Sequence, residues 1–182
     1  MRDRFSATLY FLRHGEAADA GAWPGDDFHR PLTPEGRERM AREAEAIARV
    51  GVALDAIVTS PLVRARQTAA ILADALQLSD KLVEDERLGA NFDFELLADI
   101  LHDHRAARAL MLVGHEPSLS AVIGRLIGKA AVNVKKGSLA RVDLSGASEL
   151  RGELIWLVPP RVLLLSQATH AEPPSPSPKK SR

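Results

Sequence analysis

Leu12-Arg13-His14-Gly15-Glu16 closes an apolar run, Leu9-Tyr10-Phe11-Leu12, with a guanidinium, an imidazole and a glycine turn. Together these groups suit holding and attacking a phosphoryl group. A neutral imidazole carries a lone pair that can attack phosphorus, and a guanidinium fork pairs with phosphate oxygens through parallel hydrogen bonds. Two later segments carry matching chemistry. Ser60-Pro61-Leu62-Val63-Arg64-Ala65-Arg66-Gln67-Thr68 follows the short apolar run 56–59, and Gly114-His115-Glu116-Pro117 follows the run 109–113. Arg64 and Arg66 stand two apart, so on a helix they diverge. One is expected to enter a pocket while the other stays a surface charge.

Positioning these groups requires strands that end side by side, and the chain alternates strand-like runs with helical patterns in the manner of a layered α/β domain. Strands are expected at 9–12, 56–59, 81–84 and 109–113. Two further β-like stretches, 139–144 and 153–158, separated by Ser145-Gly146, suggest an antiparallel edge. Helices are expected from Pro34 to Gly51, with Thr33 as N-cap, then from Ser60-Pro61 through Leu76, then at 94–104 and 117–127. Residues 162–165 fit either strand or helix. The fold class is therefore α/β, a three-layer α/β/α sandwich with a mostly parallel central sheet and an antiparallel edge. Such sheets bind ligands beyond the carboxyl ends of their strands, where Arg13, His14, Arg64 and His115 fall.

Length and composition bound the rest. The 182 residues, 46% of them hydrophobic, suit one domain over 1–170. The tail 171–182, rich in proline, serine and lysine, lacks large apolar side chains and is expected to be disordered. Lys plus Arg and Asp plus Glu number 24 each, so no overall field draws the protein to nucleic acid or to an acidic membrane. There is no cysteine, which excludes disulfides and thiolate chemistry. The apolar run near the amino terminus breaks at Arg13, too soon for a signal core or a span, and a cytoplasmic location is expected. No histidine pair has a recognisable ligand spacing, so neither metal nor cofactor is implied. His29, His102, His104 and His170 lack strand-end placement and are read as surface residues.

Taken in order, Leu12-Arg13-His14-Gly15-Glu16, Arg30-Pro31-Leu32-Thr33, the segment from Ser60 to Thr68, and Val113-Gly114-His115-Glu116-Pro117 resemble the histidine phosphatase superfamily. The compact length and the Arg-Pro-Leu-Thr element are most similar to its SixA-type phosphohistidine phosphatases. The resemblance covers about residues 9–158. It implies a two-step mechanism through a phosphohistidine enzyme intermediate, with His14 as nucleophile. Arg13 and Arg64 would hold the equatorial oxygens, and His115 would share their charge. Gly15 and Arg30 would lie on the substrate-binding side, although Arg30 could equally form a structural salt bridge.

Asp85-Glu86-Arg87-Leu88-Gly89 resembles the segment that supplies a general acid in larger members of the superfamily, which makes Glu86 the candidate. Glu84, Asp85 and Glu16 compete for that role. The acid matters for substrate, because the imidazole of a phosphohistidine can leave already protonated whereas an alkyl ester oxygen cannot. The one segment resembling lid material, 15–25, is short, and an uncapped cleft admits a protein side chain. The expected partner is a phosphorylated protein carrying a phosphohistidine domain, plausibly in a signalling relay. A small phosphorylated metabolite is the alternative substrate, and a non-catalytic phosphate-binding module is the rival from outside enzymes.

Overall fold

The computed structural model describes residues 7–145 and 150–168. Gly146, His170 and the tail 171–182 lie outside the described residues, and so do the expectations placed on them. Six strands form one sheet: β1 (Thr8–Arg13), β2 (Ala56–Thr59), β3 (Leu82–Glu84), β4 (Ala109–Gly114), β5 (Leu139–Ser145) and β6 (Arg151–Val158). Their order is β3-β2-β4-β1-β5-β6, parallel from β3 to β1 and antiparallel at β5 and β6. This is the mostly parallel sheet with an antiparallel edge that the alternating pattern predicts.

Five helices cover the sheet: α1 (Pro34–Val50), α2 (Val63–Leu76), α3 (Phe94–Asp103), α4 (Ser118–Leu126) and α5 (Pro160–Ala168). Side chains alternate across a strand, so each buried strand supplies both faces. Leu9 and Phe11 of β1, with Leu110 and Leu112 of β4, pack against Leu97 and Ile100 of α3 and Leu119 and Ile123 of α4. Tyr10 and Leu12, with Met111 and Val113, pack on the other face against Met40 and Ile47 of α1, Ala69 and Leu72 of α2, and Leu163 of α5. Two apolar layers flank one sheet, which gives the three-layer sandwich. The ambiguous run at 162–165 is helical because it docks on α1.

Local signals set most helix ends. Thr33 caps α1 by accepting the Gly36 N–H at 2.9 Å, Pro34 occupies the first turn, and the helix stops at Gly51. A side chain at Gly36 would collide with the carbonyl of Glu16, so the missing Cβ lets α1 begin against the segment that follows His14. Ser60-Pro61 does not start α2 as expected. The helix begins at Val63 with Leu62 at its cap and no capping side chain, because the Ser60 hydroxyl is drawn into a contact with His115.

Glu43 of α1 is a buried carboxyl, 2% exposed, held by Arg39 Nε at 2.9 Å. It lies beneath Gly137, whose positive φ of 72° turns the chain into β5 and whose missing side chain makes room for the carboxyl. Burial pushes the Glu43 carboxyl up to about 7, with Arg39 pulling only partly the other way. Between the ordinary value of 4.5 and about 7, the folded chain holds a proton that the unfolded chain releases, so this group's contribution to stability falls as pH rises through that window. Urea melts from pH 4 to 8 should therefore show Glu43→Gln gaining stability relative to wild type as pH rises across that interval, and a constant difference above it.

Candidate active site

Three strand ends meet at the carboxyl edge of the sheet. Arg13 ends β1 opposite Gly114 of β4, and the next residue is tied in register by His14 N–H donating to Gly114 O at 3.1 Å. On the other side, Gly137 N–H donates to the carbonyls of Arg13 at 3.1 Å and His14 at 3.3 Å. β4 runs directly into His115, and β2 ends beside it at Ser60. His14 and His115, a hundred residues apart in sequence, lie with ring centroids 5.1 Å apart and are 6% and 7% exposed.

The hydrogen bonds around each ring fix which nitrogen is free. His14 Nδ1 lies 2.8 Å from the Gly15 carbonyl, which can only accept. Nδ1 therefore carries the hydrogen and Nε2 of the neutral ring keeps its lone pair. Gly15 N–H is itself taken by Thr68 Oγ1 at 3.1 Å, and Thr68 donates to Arg64 O at 2.8 Å. Gly15 thus orients His14, and its N–H is committed within the protein instead of facing a substrate. His115 Nε2 lies 2.8 Å from Ser60 Oγ, which also accepts the Leu62 N–H at 3.3 Å. Among the described residues, His115 Nδ1 has no partner.

The arginines follow the same logic. Arg13 gives NH1 to Val134 O at 2.9 Å. Arg64 gives NH1 to the Asp27 carbonyl at 2.7 Å and NH2 to its carboxylate at 2.8 Å. Arg66 points outward and pairs with Glu84 at 3.1 Å, the divergence that helical spacing requires. Among the described residues, the buried side-chain polar atoms without a partner in the protein are Arg13 Nε, Arg64 Nε and His115 Nδ1. All three belong to residues lining one open cleft of about 570 Å³, which His14 also lines. Two guanidiniums and a second imidazole lining one cleft with the His14 ring form a set that can hold a tetrahedral anion and attack it.

Burial shapes the charge of the site. It pulls the pKa of His14 down to about 3, the Gly15 hydrogen bond opposing and His115, Arg64 and Arg13 adding to the fall. It also pulls His115 down to about 4, with Arg64 the main electrostatic contributor. Both rings are neutral at pH 7. Arg30 lines the cleft and forms a salt bridge, its Nε binding Asp27 Oδ1 at 2.8 Å while NH1 donates to Ala18 O.

Glu86 is not brought into the cleft. It is exposed in the 3-10 turn Glu86–Leu88, where Asp85 grips Arg87 and the buried member of the turn is Leu88, so Glu86 faces outward. Sequence reasoning did not identify Ser60, Thr68, Val134, Asp27 or Lys136 as parts of the site. Ser60 had a usable signal, since it too follows a strand end. Thr68 stands in the same motif segment but gave no role by itself, and all but Ser60 arrive through contacts spanning 37 to 121 residues.

The histidine phosphatase superfamily (branch 1) model matches residues 9–90, the part holding Arg13, His14 and Arg64. An uncharacterized protein of Picosynechococcus sp. is 37% identical over 169 residues, which covers 86% of this chain and 98% of that protein. A solved structure of the protein histidine phosphatase SixA complexed with tungstate superposes with a TM-score of 0.75 at 23% identity, covering 85% of this chain and 97% of that one. The alpha-ribazole phosphatase from Shigella flexneri superposes with a TM-score of 0.69 at 20% identity, over 84% and 96% of the two chains. With the sheet, the strand-end histidines and the arginine placement already in agreement, the chain belongs to the histidine phosphatase superfamily.

Proposed function

We propose that this phosphatase works through a phosphorylated His14, and that its principal substrate is a phosphohistidine on a partner protein. The observation carrying the first half is the single cleft that Arg13, His14, Arg64 and His115 line together, with His14 Nδ1 engaged by the Gly15 carbonyl and a buried, unpartnered nitrogen on each of the other three. A phosphoryl group in transfer has three equatorial oxygens, and Arg13, Arg64 and His115 are the residues that would hold them. Positioning and charge stabilisation are most of what a protein contributes to this reaction. His14 Nε2 forms a bond to phosphorus as the bond to the leaving group breaks. Water then attacks phosphorus, the N–P bond breaks, and inorganic phosphate leaves with His14 restored.

Support for the second half comes from the carboxylates. Each one at the cleft is already an acceptor for a partner: Glu16 for Lys136 at 2.6 Å, Asp19 for the N–H groups of Gly21 and Ala22, and Glu116 for the Ser120 N–H. Asp27 is engaged by Arg30 and Arg64. Glu86 lies outside. A leaving imidazole that takes a proton at its other nitrogen does not depend on an enzyme acid, whereas an alkoxide does. The second reading, a small-molecule phosphomonoesterase, is favoured by the cleft volume and by the likeness to alpha-ribazole phosphatase. A cytoplasmic signalling relay fits the first reading.

Three measurements test this. Side-by-side hydrolysis should show a phosphohistidine protein preferred over alkyl phosphates, with Glu86→Gln changing neither turnover appreciably. Preference for a metabolite would exchange the two readings. His14→Ala should fold and lose turnover, and Arg64→Ala should lower kcat by roughly 10²–10³-fold; near-normal turnover by folded His14→Ala would refute the nucleophile. The His14 ring followed by NMR in the free protein should stay neutral down to about pH 4, because its titration is displaced from 6.5 to about 3. The acid limb of kcat/KM should then lack a step near 6.5 from this residue.

A further inference from the structure

Arg64 is 7% exposed, yet both of its terminal nitrogens are held by a residue whose side chain is 58% exposed. Asp27 opens the 3-10 turn Asp27–His29 in the loop between β1 and α1. Its carbonyl takes Arg64 NH1 at 2.7 Å, its Oδ2 takes NH2 at 2.8 Å, and its Oδ1 takes Arg30 Nε at 2.8 Å. With NH1 and NH2 oriented this way, Nε is the buried donor of Arg64 left without a protein partner.

The loop itself is fastened at both ends. Ala18 N–H donates to Pro31 O at 2.9 Å, and Thr33 N–H donates to Glu16 O at 3.1 Å, which closes its neck. Leu32 N–H donates to Gln67 Oε1 of α2 at 2.8 Å, so the Asp27–Arg64 contact is a second tie to the same helix. Burial resists ionisation of Asp27, but the hydrogen bonds from Arg30 and Arg64 outweigh it and hold the carboxyl below its usual range.

A carboxylate beside an anion site works against simple affinity, since like charges repel. Its placement makes sense as orientation. An arginine has many rotamers, and fixing the one in which the guanidinium lies along the cleft stabilises the transition state when a phosphoryl group arrives. The same carboxylate bridges Arg30 and Arg64 and so offsets the repulsion between two guanidiniums lining one cleft.

We propose that Asp27 is a positioning residue for phosphoryl transfer, acting through Arg64, and that it couples the orientation of Arg64 to the surface loop between β1 and α1. This rests on the reading of the cleft as a phosphoryl site. Loss of the clamp is expected to lower kcat while leaving phosphate affinity nearly unchanged, because the removed anion offsets the lost orientation in the ground state.

The test measures p-nitrophenyl phosphate turnover, and inhibition by inorganic phosphate, for wild type, Asp27→Ala, Asp27→Asn, Arg64→Ala and the Asp27→Ala/Arg64→Ala pair. Asp27→Ala should lower kcat by roughly 10–30-fold with the phosphate inhibition constant changed by less than about 3-fold. Asp27→Asn, which keeps one side-chain acceptor, should lose less, and it carries the comparison if the alanine variant misfolds. In the Arg64→Ala background, Asp27→Ala should change kcat by less than about 2-fold, since a residue acting through Arg64 has nothing left to orient. Equal losses in both backgrounds, or a folded Asp27→Ala protein with wild-type kcat, would overturn the proposal. A wild-type protein that neither turns over the aryl phosphate nor is inhibited by phosphate would instead overturn the reading of the cleft.

Discussion

Three side-chain nitrogens, on Arg13, Arg64 and His115, are withdrawn from water without a partner among the described residues, and the architecture around them is organised to tolerate this. An unsatisfied buried donor costs about 1–3 kcal/mol, and more when charged. Such a cost persists only where the surroundings prevent the side chain from turning elsewhere. Here each group is immobilised by what holds its other nitrogens: Val134 O for Arg13, both oxygens of Asp27 for Arg64, and Ser60 for His115. Preorganisation of donors and their incomplete satisfaction are one arrangement seen from two sides.

The sheet supplies the rigidity. β1 is paired on both edges, with β4 and β5, and the two faces of its apolar segment are fully packed. His14 therefore cannot shift without dragging a central strand, and the Gly114 and Gly137 backbone bonds extend that restraint one residue beyond the strand. The same burial that packs the strand end strips water from both imidazoles and keeps them neutral. Packing and protonation state share a cause. Where the sheet ends, the loop between β1 and α1 takes over, and its contribution is electrostatic: Asp27 balances two guanidiniums that would otherwise repel across the cleft.

Particular elements show how much of this was legible in the residues. Thr33-Pro34 and Gly51 marked the ends of α1 correctly, because capping is decided by neighbours within a turn. The alternation along Leu9-Tyr10-Phe11-Leu12 gave a strand buried on both faces. Helical spacing alone required Arg64 and Arg66 to diverge, and the fold buries Arg64 and leaves Arg66 at the surface. Ser60-Pro61 misled, since its cap signal is real but the hydroxyl found a partner 55 residues away. Glu86 misled for a similar reason: the motif was local, while the direction of its side chain was set by Asp85, Arg87 and the burial of Leu88.

Residue types and short spacings determined most strand and helix positions and the layered α/β class, because those depend on periodicity and capping within a few residues, while the order of four short motifs carried the resemblance to the family. Tertiary structure alone decided which nitrogen of each ring and of each arginine is engaged within the protein, and which carboxylates already have a partner. Those facts are properties of hydrogen bonds between segments far apart in the chain. A sequence names the donors, but only the fold determines where each one is left pointing.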